Sequence, residues 1–169
     1  MLPEVQQYLK FLDDLHGQIR TIVTLVPADA LNWRPLEGPD DDHTTNSLAV
    51  LAAHVAGSEH HWIAEVVGRY PPTRNRPAEF HTETKDPAAL IARLDEVSQE
   101  TAAVLTSLDA ADLDSIRELD GRVIPVRWAI LHAIEHLALH LGHAQMTYQL
   151  WQGGETAPRD RWFERLQKR

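Results

Sequence analysis

The sequence predicts an all-α fold, an antiparallel four-helix bundle with long crossover loops. Three observations predict it. Four long stretches carry apolar residues three and four apart, the spacing of one helix face. They are separated by segments rich in Pro, Gly, Asp and Asn at 27–45, 69–86 and 109–125. Only the last of these holds β-prone pieces. Composition agrees: 169 residues with 43% hydrophobic and 24% charged content suit one globular domain over 1–169 with a sizeable core.

The first helix is expected over 3–26, with Pro3 in its first turn and Pro27 ending it. Val5, Tyr8, Leu9, Leu12, Leu15, Ile19, Ile22 and Val23 mark its inner face. His16 and Arg20 are placed on its polar edge. The segment 27–45 reads as a connection with a short helical turn after Pro27 and with Trp33 against the end of the core. Asp40, Asp41, Asp42 and His43 read as a solvated acidic loop, since no glutamate follows at calcium-loop spacing.

Asn46 and Ser47 are cap candidates for a second helix over Leu48–Val67, closed by Gly68. His54 lies mid-helix among apolar neighbours. It is either a core histidine bonded to an acceptor or a metal ligand. His61 stands seven residues on, about 10.5 Å up the axis, too far to share a metal with it. His60 and Glu59 are expected in solvent. The 69–86 segment, with Arg69, Arg74 and Arg76, reads as a long connection or a cover over an anionic substrate. Asp86 and Pro87 start a third helix running to Leu108, with Leu90, Leu94, Val97, Ala102, Val104 and Leu105 inward. Asp120-Gly121 predicts a small hairpin or extended loop.

The fourth helix, Val126 to Gln152, carries the chemistry. His132, His136, His140 and His143 fall within twelve residues. Residues four apart stack on one helix face, so the first three form a column, and His143 adjoins His140. The face assigned to the core includes Trp128, Leu131, His132, Leu139, His140 and Met146. Buried imidazoles need partners. A histidine pair at i, i+4 suits a divalent metal, which then needs a third ligand from another segment. His54 is the natural candidate. The tail after Pro158 is basic, and Trp162 and Phe163 are expected to dock it as a last short helix.

Other classes recede. A net charge of −9 disfavours nucleic acid. No apolar run reaches the roughly 20 residues of a membrane span. No cysteine is present, which removes disulfides, thiolate ligands and a cysteine nucleophile. Met1 to Glu4 lead straight into an amphipathic pattern without a basic start, so a cytoplasmic location is expected.

Two stretches resemble a known family. Asn46-Ser-Leu-Ala-Val-Leu-Ala-Ala-His54-Val-Ala-Gly-Ser-Glu59-His-His-Trp62 is similar to the second-helix signature of the DinB/YfiT-like metalloenzyme superfamily. Trp128-Ala-Ile-Leu-His132-Ala-Ile-Glu-His136-Leu-Ala-Leu-His140-Leu-Gly142-His143-Ala-Gln145 resembles its fourth-helix signature, near the branch of mycothiol and bacillithiol S-transferases. The resemblance implies a four-helix bundle and a divalent metal, zinc or nickel, on His54, His136 and His140. It also implies a homodimer and a small-molecule substrate. The activity it suggests is transfer of a low-molecular-weight thiol of the bacillithiol, mycothiol or glutathione type to an electrophile. His143 would then be the catalytic proton-transfer residue. A metal-dependent hydrolase, or a non-catalytic metal-binding stress-response protein, is the alternative. The hydrolase is the weaker of these, since no glutamate follows a ligand as in H-E-x-x-H.

Overall fold

The computed structural model describes residues 1–38 and 45–154. The acidic stretch at 40–43 and the tail with Trp162 and Phe163, expected to dock as a short helix, lie outside the described residues. Four long helices form the body: α1 Pro3–Leu25, α3 Leu48–Glu59 continuing as a π-helical segment His60–Val67, α5 Ala88–Ser107 and α7 Val126–Trp151. Between them lie α2 Ala28–Asn32, α4 Arg76–Phe80, α6 Ala110–Leu113 and a hairpin of β1 Ile116–Leu119 with β2 Arg122–Pro125.

The packing order differs from the chain order. α1 packs mainly on α5 and α7, and α3 with its π segment packs on the same two. The first and second long helices are therefore diagonal to one another. α3 is covered on its remaining sides by α2 and α4, as its composition requires. Leu48, Ala49, Val50, Leu51, Ala52, Val55 and Ala56 are all buried, so it is apolar on every side. Ser47 caps it, its hydroxyl accepting from Val50 N at 3.3 Å.

α1 buries Val5, Leu12, His16, Ile19 and Val23. His16 thus belongs to the inner stripe rather than the polar edge: its spacing from Leu12 and Ile19 is four and three, as for any core position. Its ring bonds the Glu59 carboxylate, and Glu59 Oε1 also accepts from Thr101 Oγ1 at 2.6 Å. Glu59, expected in solvent, is 1% exposed. A carboxylate can be buried so deeply because two neighbouring helices supply partners.

The 69–86 segment is not simply a loop. Asn75 Oδ1 accepts from Ala78 N at 3.2 Å and Pro77 occupies the first turn, so α4 forms there. The hairpin is antiparallel, with Leu119 opposite Arg122 and a two-residue turn at Asp120 (φ 50°) and Gly121 (φ 73°). Both central residues have positive φ, the geometry that Asp-Gly favours.

α7 buries Val126, Ala129, Ile130, Ala133, Leu137, Leu141, Ala144 and Thr147. Trp128, Leu131, Leu139 and Met146 are 47–57% exposed, contrary to the inward face expected for them. The physical reason is that α7 is apolar on nearly all sides. Periodicity alone could not choose the face, and packing buried the stripe of Ile130, Leu137 and Leu141 with three alanines. The histidine column runs along the border between the buried stripe and the exposed one.

Candidate metal centre

His54 on α3 and His136 and His140 on α7 each bring one ring nitrogen to within 4.8 Å of the others. His54 is 6% exposed, and the two α7 histidines are half-buried. Nε2 of His54 faces Nε2 of His136 at 3.2 Å. Two imidazoles on one zinc at 2.0–2.1 Å would hold their nitrogens roughly 2.8 to 3.4 Å apart for angles of about 90° to 110°. The spacing therefore fits a shared ion. The ring of His54 also lies edge-on to His140, with centroids 4.8 Å apart, and the His136 and His140 rings are 4.4 Å apart.

The electrostatics suit the same purpose. Burial, then the neighbouring His140 and His54, push His136 down to about 3. Burial, then His54 and His143, push His140 down to about 4. Both rings stay neutral and keep a lone pair for a cation.

Nδ1 of His54 lies 2.8 Å from Oε2 of Glu79, on α4. Arg74 grips the same carboxylate with two bonds, Nε to Oε1 at 2.7 Å and Nη2 to Oε2 at 2.9 Å. Burial pushes the Glu79 carboxyl up, but the Arg74 and His54 bonds outweigh it and hold it below the usual carboxylate range. Phe80 covers His54 at 4.9 Å, and Arg76 lies over Phe80 at 4.8 Å. Two of the three loop arginines are thus committed to neighbours within the protein.

His143 is exposed, its Nδ1 3.3 Å from Nδ1 of His140. His132 is outside the cluster. It stacks on Trp128 at 4.9 Å and 10°, and Trp62 meets both rings edge-on at 5.4 and 5.0 Å. These aromatics form a wall that runs toward His136, 5.9 Å from His132. His60, expected in solvent, is 6% exposed. It bonds Glu100 at 2.7 Å and Thr73 Oγ1 at 2.9 Å. The π-helical turn beginning at His60 carries it inward; such turns have no simple sequence signal. His61 Nδ1 bonds Glu65 at 2.6 Å and lines a cavity of about 420 Å³ with Arg69, Tyr70 and Arg117.

The residues that sequence reasoning missed are Glu79 and Glu65, both of which accept from Arg74. Glu65 accepts from His61 and from the backbone N–H groups of Thr73 and Arg74, so it pins the loop that carries Arg74. No spacing rule links residues 54, 65, 74 and 79. Only the Asn75-Arg76-Pro77 cap signal could have flagged α4.

Residues 7–144 match the family model of the DinB superfamily. Two crystal structures are among those that share the fold. One is a conserved protein from Enterococcus faecalis, with TM-score 0.73 and 16% identity, covering 90% of this chain and 99% of that one. The other is a DinB-like protein from Bacillus subtilis, with TM-score 0.62 and 20% identity, covering 90% of this chain and 96% of that one. No curated protein matches the sequence.

Proposed function

The chain belongs to the DinB superfamily, and we propose that it is a metal-dependent S-transferase joining a low-molecular-weight thiol to a small electrophile. The convergence of His54, His136 and His140, from two helices, is the observation that carries this reading. A zinc or nickel ion held by these three residues would lower the pKa of a thiol or water bound beside it. The chain's own part is to present neutral imidazoles, which burial of His136 and His140 favours. In this reading His143, exposed beside His140, accepts the thiol proton. The sulfur then bonds the electrophilic carbon, and the leaving group departs with its electron pair. Trp128 and Trp62 offer the electrophile an apolar wall. The absence of cysteine from the sequence fits a cosubstrate that supplies the sulfur.

A homodimer belongs to the same reading. Trp128, Leu131, Leu139, Met146 and Leu150 are exposed along one side of α7, at spacings that align on a helix. Among the described residues no helix is long and apolar enough to cross a membrane.

Elemental analysis of the purified protein is the first test. About one zinc or nickel per chain is expected, with loss from His54→Ala and His140→Ala while helical content is kept. Turnover of an aryl halide is then followed with bacillithiol, mycothiol and glutathione in turn. Thiol-dependent conjugation that drops at least about tenfold in His143→Ala supports the assignment. Absence of conjugation by the loaded protein with every thiol rejects it, and thiol-independent hydrolysis would favour the metal-dependent hydrolase.

A further inference from the structure

We infer that Glu79 is a positioning residue for the metal centre, and that Gly57 and Arg74 exist in this arrangement to seat its carboxylate against His54. The inference rests on the three-histidine reading above but not on thiol transfer.

The geometry is specific. His54 has two ring nitrogens with separate duties. Nε2 points into the cluster, 3.2 Å from Nε2 of His136. Nδ1 points the other way, to Glu79 at 2.8 Å. A carboxylate accepting from Nδ1–H fixes the proton there and leaves Nε2 as the lone-pair nitrogen. It also locks the ring's rotation, so the lone pair is aimed before any ion arrives.

Glu79 could not hold this place unaided. Its residue is 8% exposed, and a carboxylate so buried needs compensating charge. Arg74 supplies it with a two-bond fork. The carboxylate also needs room against α3, and Gly57 provides it. A Cβ built on Gly57 would lie 2.1 Å from Oε1 of Glu79 and 2.6 Å from its Cδ. Gly57 is helical, a position where glycine is disfavoured against alanine. Close approach of the Glu79 carboxylate accounts for its presence. Arg74 is held in turn, since its N–H and that of Thr73 bond Glu65. The α4 segment therefore covers His54 twice, with Glu79 on Nδ1 and Phe80 against the ring.

The test is zinc affinity. The metal-stripped full chain is titrated with zinc against a chromophoric chelator, for wild type, Glu79→Ala, Gly57→Ala, the double variant and His136→Ala. Both single changes at 79 and 57 are expected to weaken binding roughly 10- to 100-fold. Gly57→Ala displaces only the end of a flexible side chain, so its metal-free form should melt near wild type. In the Glu79→Ala background the added Cβ has nothing to displace, so Gly57→Ala should then cost no further affinity. In the zinc-loaded wild type a downfield Nδ1 proton resonance of His54 is expected, and Glu79→Ala should lose it.

Wild-type zinc affinity in both single variants would overturn the positioning role and leave the three-histidine site standing. Failure of wild type to take up zinc, or equal uptake by His136→Ala, would overturn the site and this inference with it. Should Glu79→Ala not fold, Gly57→Ala decides alone.

Discussion

Replacing His16 with alanine tests the buried polar cluster that ties α1, α3 and α5 together. Among the described residues Glu59 has two side-chain partners, the His16 ring and the Thr101 hydroxyl at 2.6 Å. The change strands a carboxylate that is 1% exposed with a single neutral hydroxyl. Two estimates of the cost agree. Stranding a buried charge by removing its partner costs about 3–5 kcal/mol. Counted by parts, a lost hydrogen bond to a charged group is about 1.5–3 kcal/mol, and the cavity left by the ring adds about 1–2 kcal/mol. At about 2–4 °C per kcal/mol for a chain of this size, the melting point should fall by roughly 6–20 °C. Thr101→Val removes one bond without a cavity and should cost about 1.5–3 kcal/mol. Replacing all three groups, as His16→Leu, Glu59→Met and Thr101→Val, should be neutral or stabilising, because no unpaired polar atom remains. The assay is urea denaturation with a chelator present, since a bound metal would add its own stabilisation. A His16→Ala chain within about 1 kcal/mol of wild type, at unchanged m-value, would refute the reasoning.

Three other outcomes are expected. The folded values of about 3 and 4 for His136 and His140 lie below the ordinary 6.5, so between these limits the unfolded chain binds more protons. Stability of the metal-free protein should therefore fall as pH drops from about 6.5 toward 4, and denaturation series should show a shallower slope for His136→Gln. Gly68→Ala puts a Cβ 2.8 Å from Ala64 O and 2.8 Å from Val104 Cγ2; overpacking there should cost about 1–3 kcal/mol by denaturant melt. Arg117 donates to Val67 O from Nε at 3.2 Å and Nη2 at 3.1 Å, ending the π segment. Arg117→Ala should cost about 1.5–3 kcal/mol in the same melt, with faster amide exchange at 64–68.

Much of the fold was legible because it depends on local rules. Helix starts at Pro3, Ser47 and Asp86, the Asp120-Gly121 turn, and the stripes of α1 and α5 all follow from spacing and cap chemistry. The histidines were legible for the same reason: i, i+4 on one helix is a local fact, and His54 was conspicuous among apolar neighbours. Where local signals were symmetric, the reading failed. α7 is apolar on most sides, so its inner face was misassigned, and Leu131, Leu139 and Met146 lie outside.

The amino-acid order by itself determined that four helices form, where they begin and end, and which histidines share a helix face. Those properties come from backbone sterics and 3.6-residue periodicity, which act over a few residues. Tertiary structure alone decided that α1 and α3 lie diagonally, that Glu59 is buried between His16 and Thr101, and that Glu79 reaches His54. Each of those contacts joins residues 25 or more positions apart. Their partners are chosen by packing and by the cost of burying an unpaired charge, and neither leaves a mark in sequence spacing.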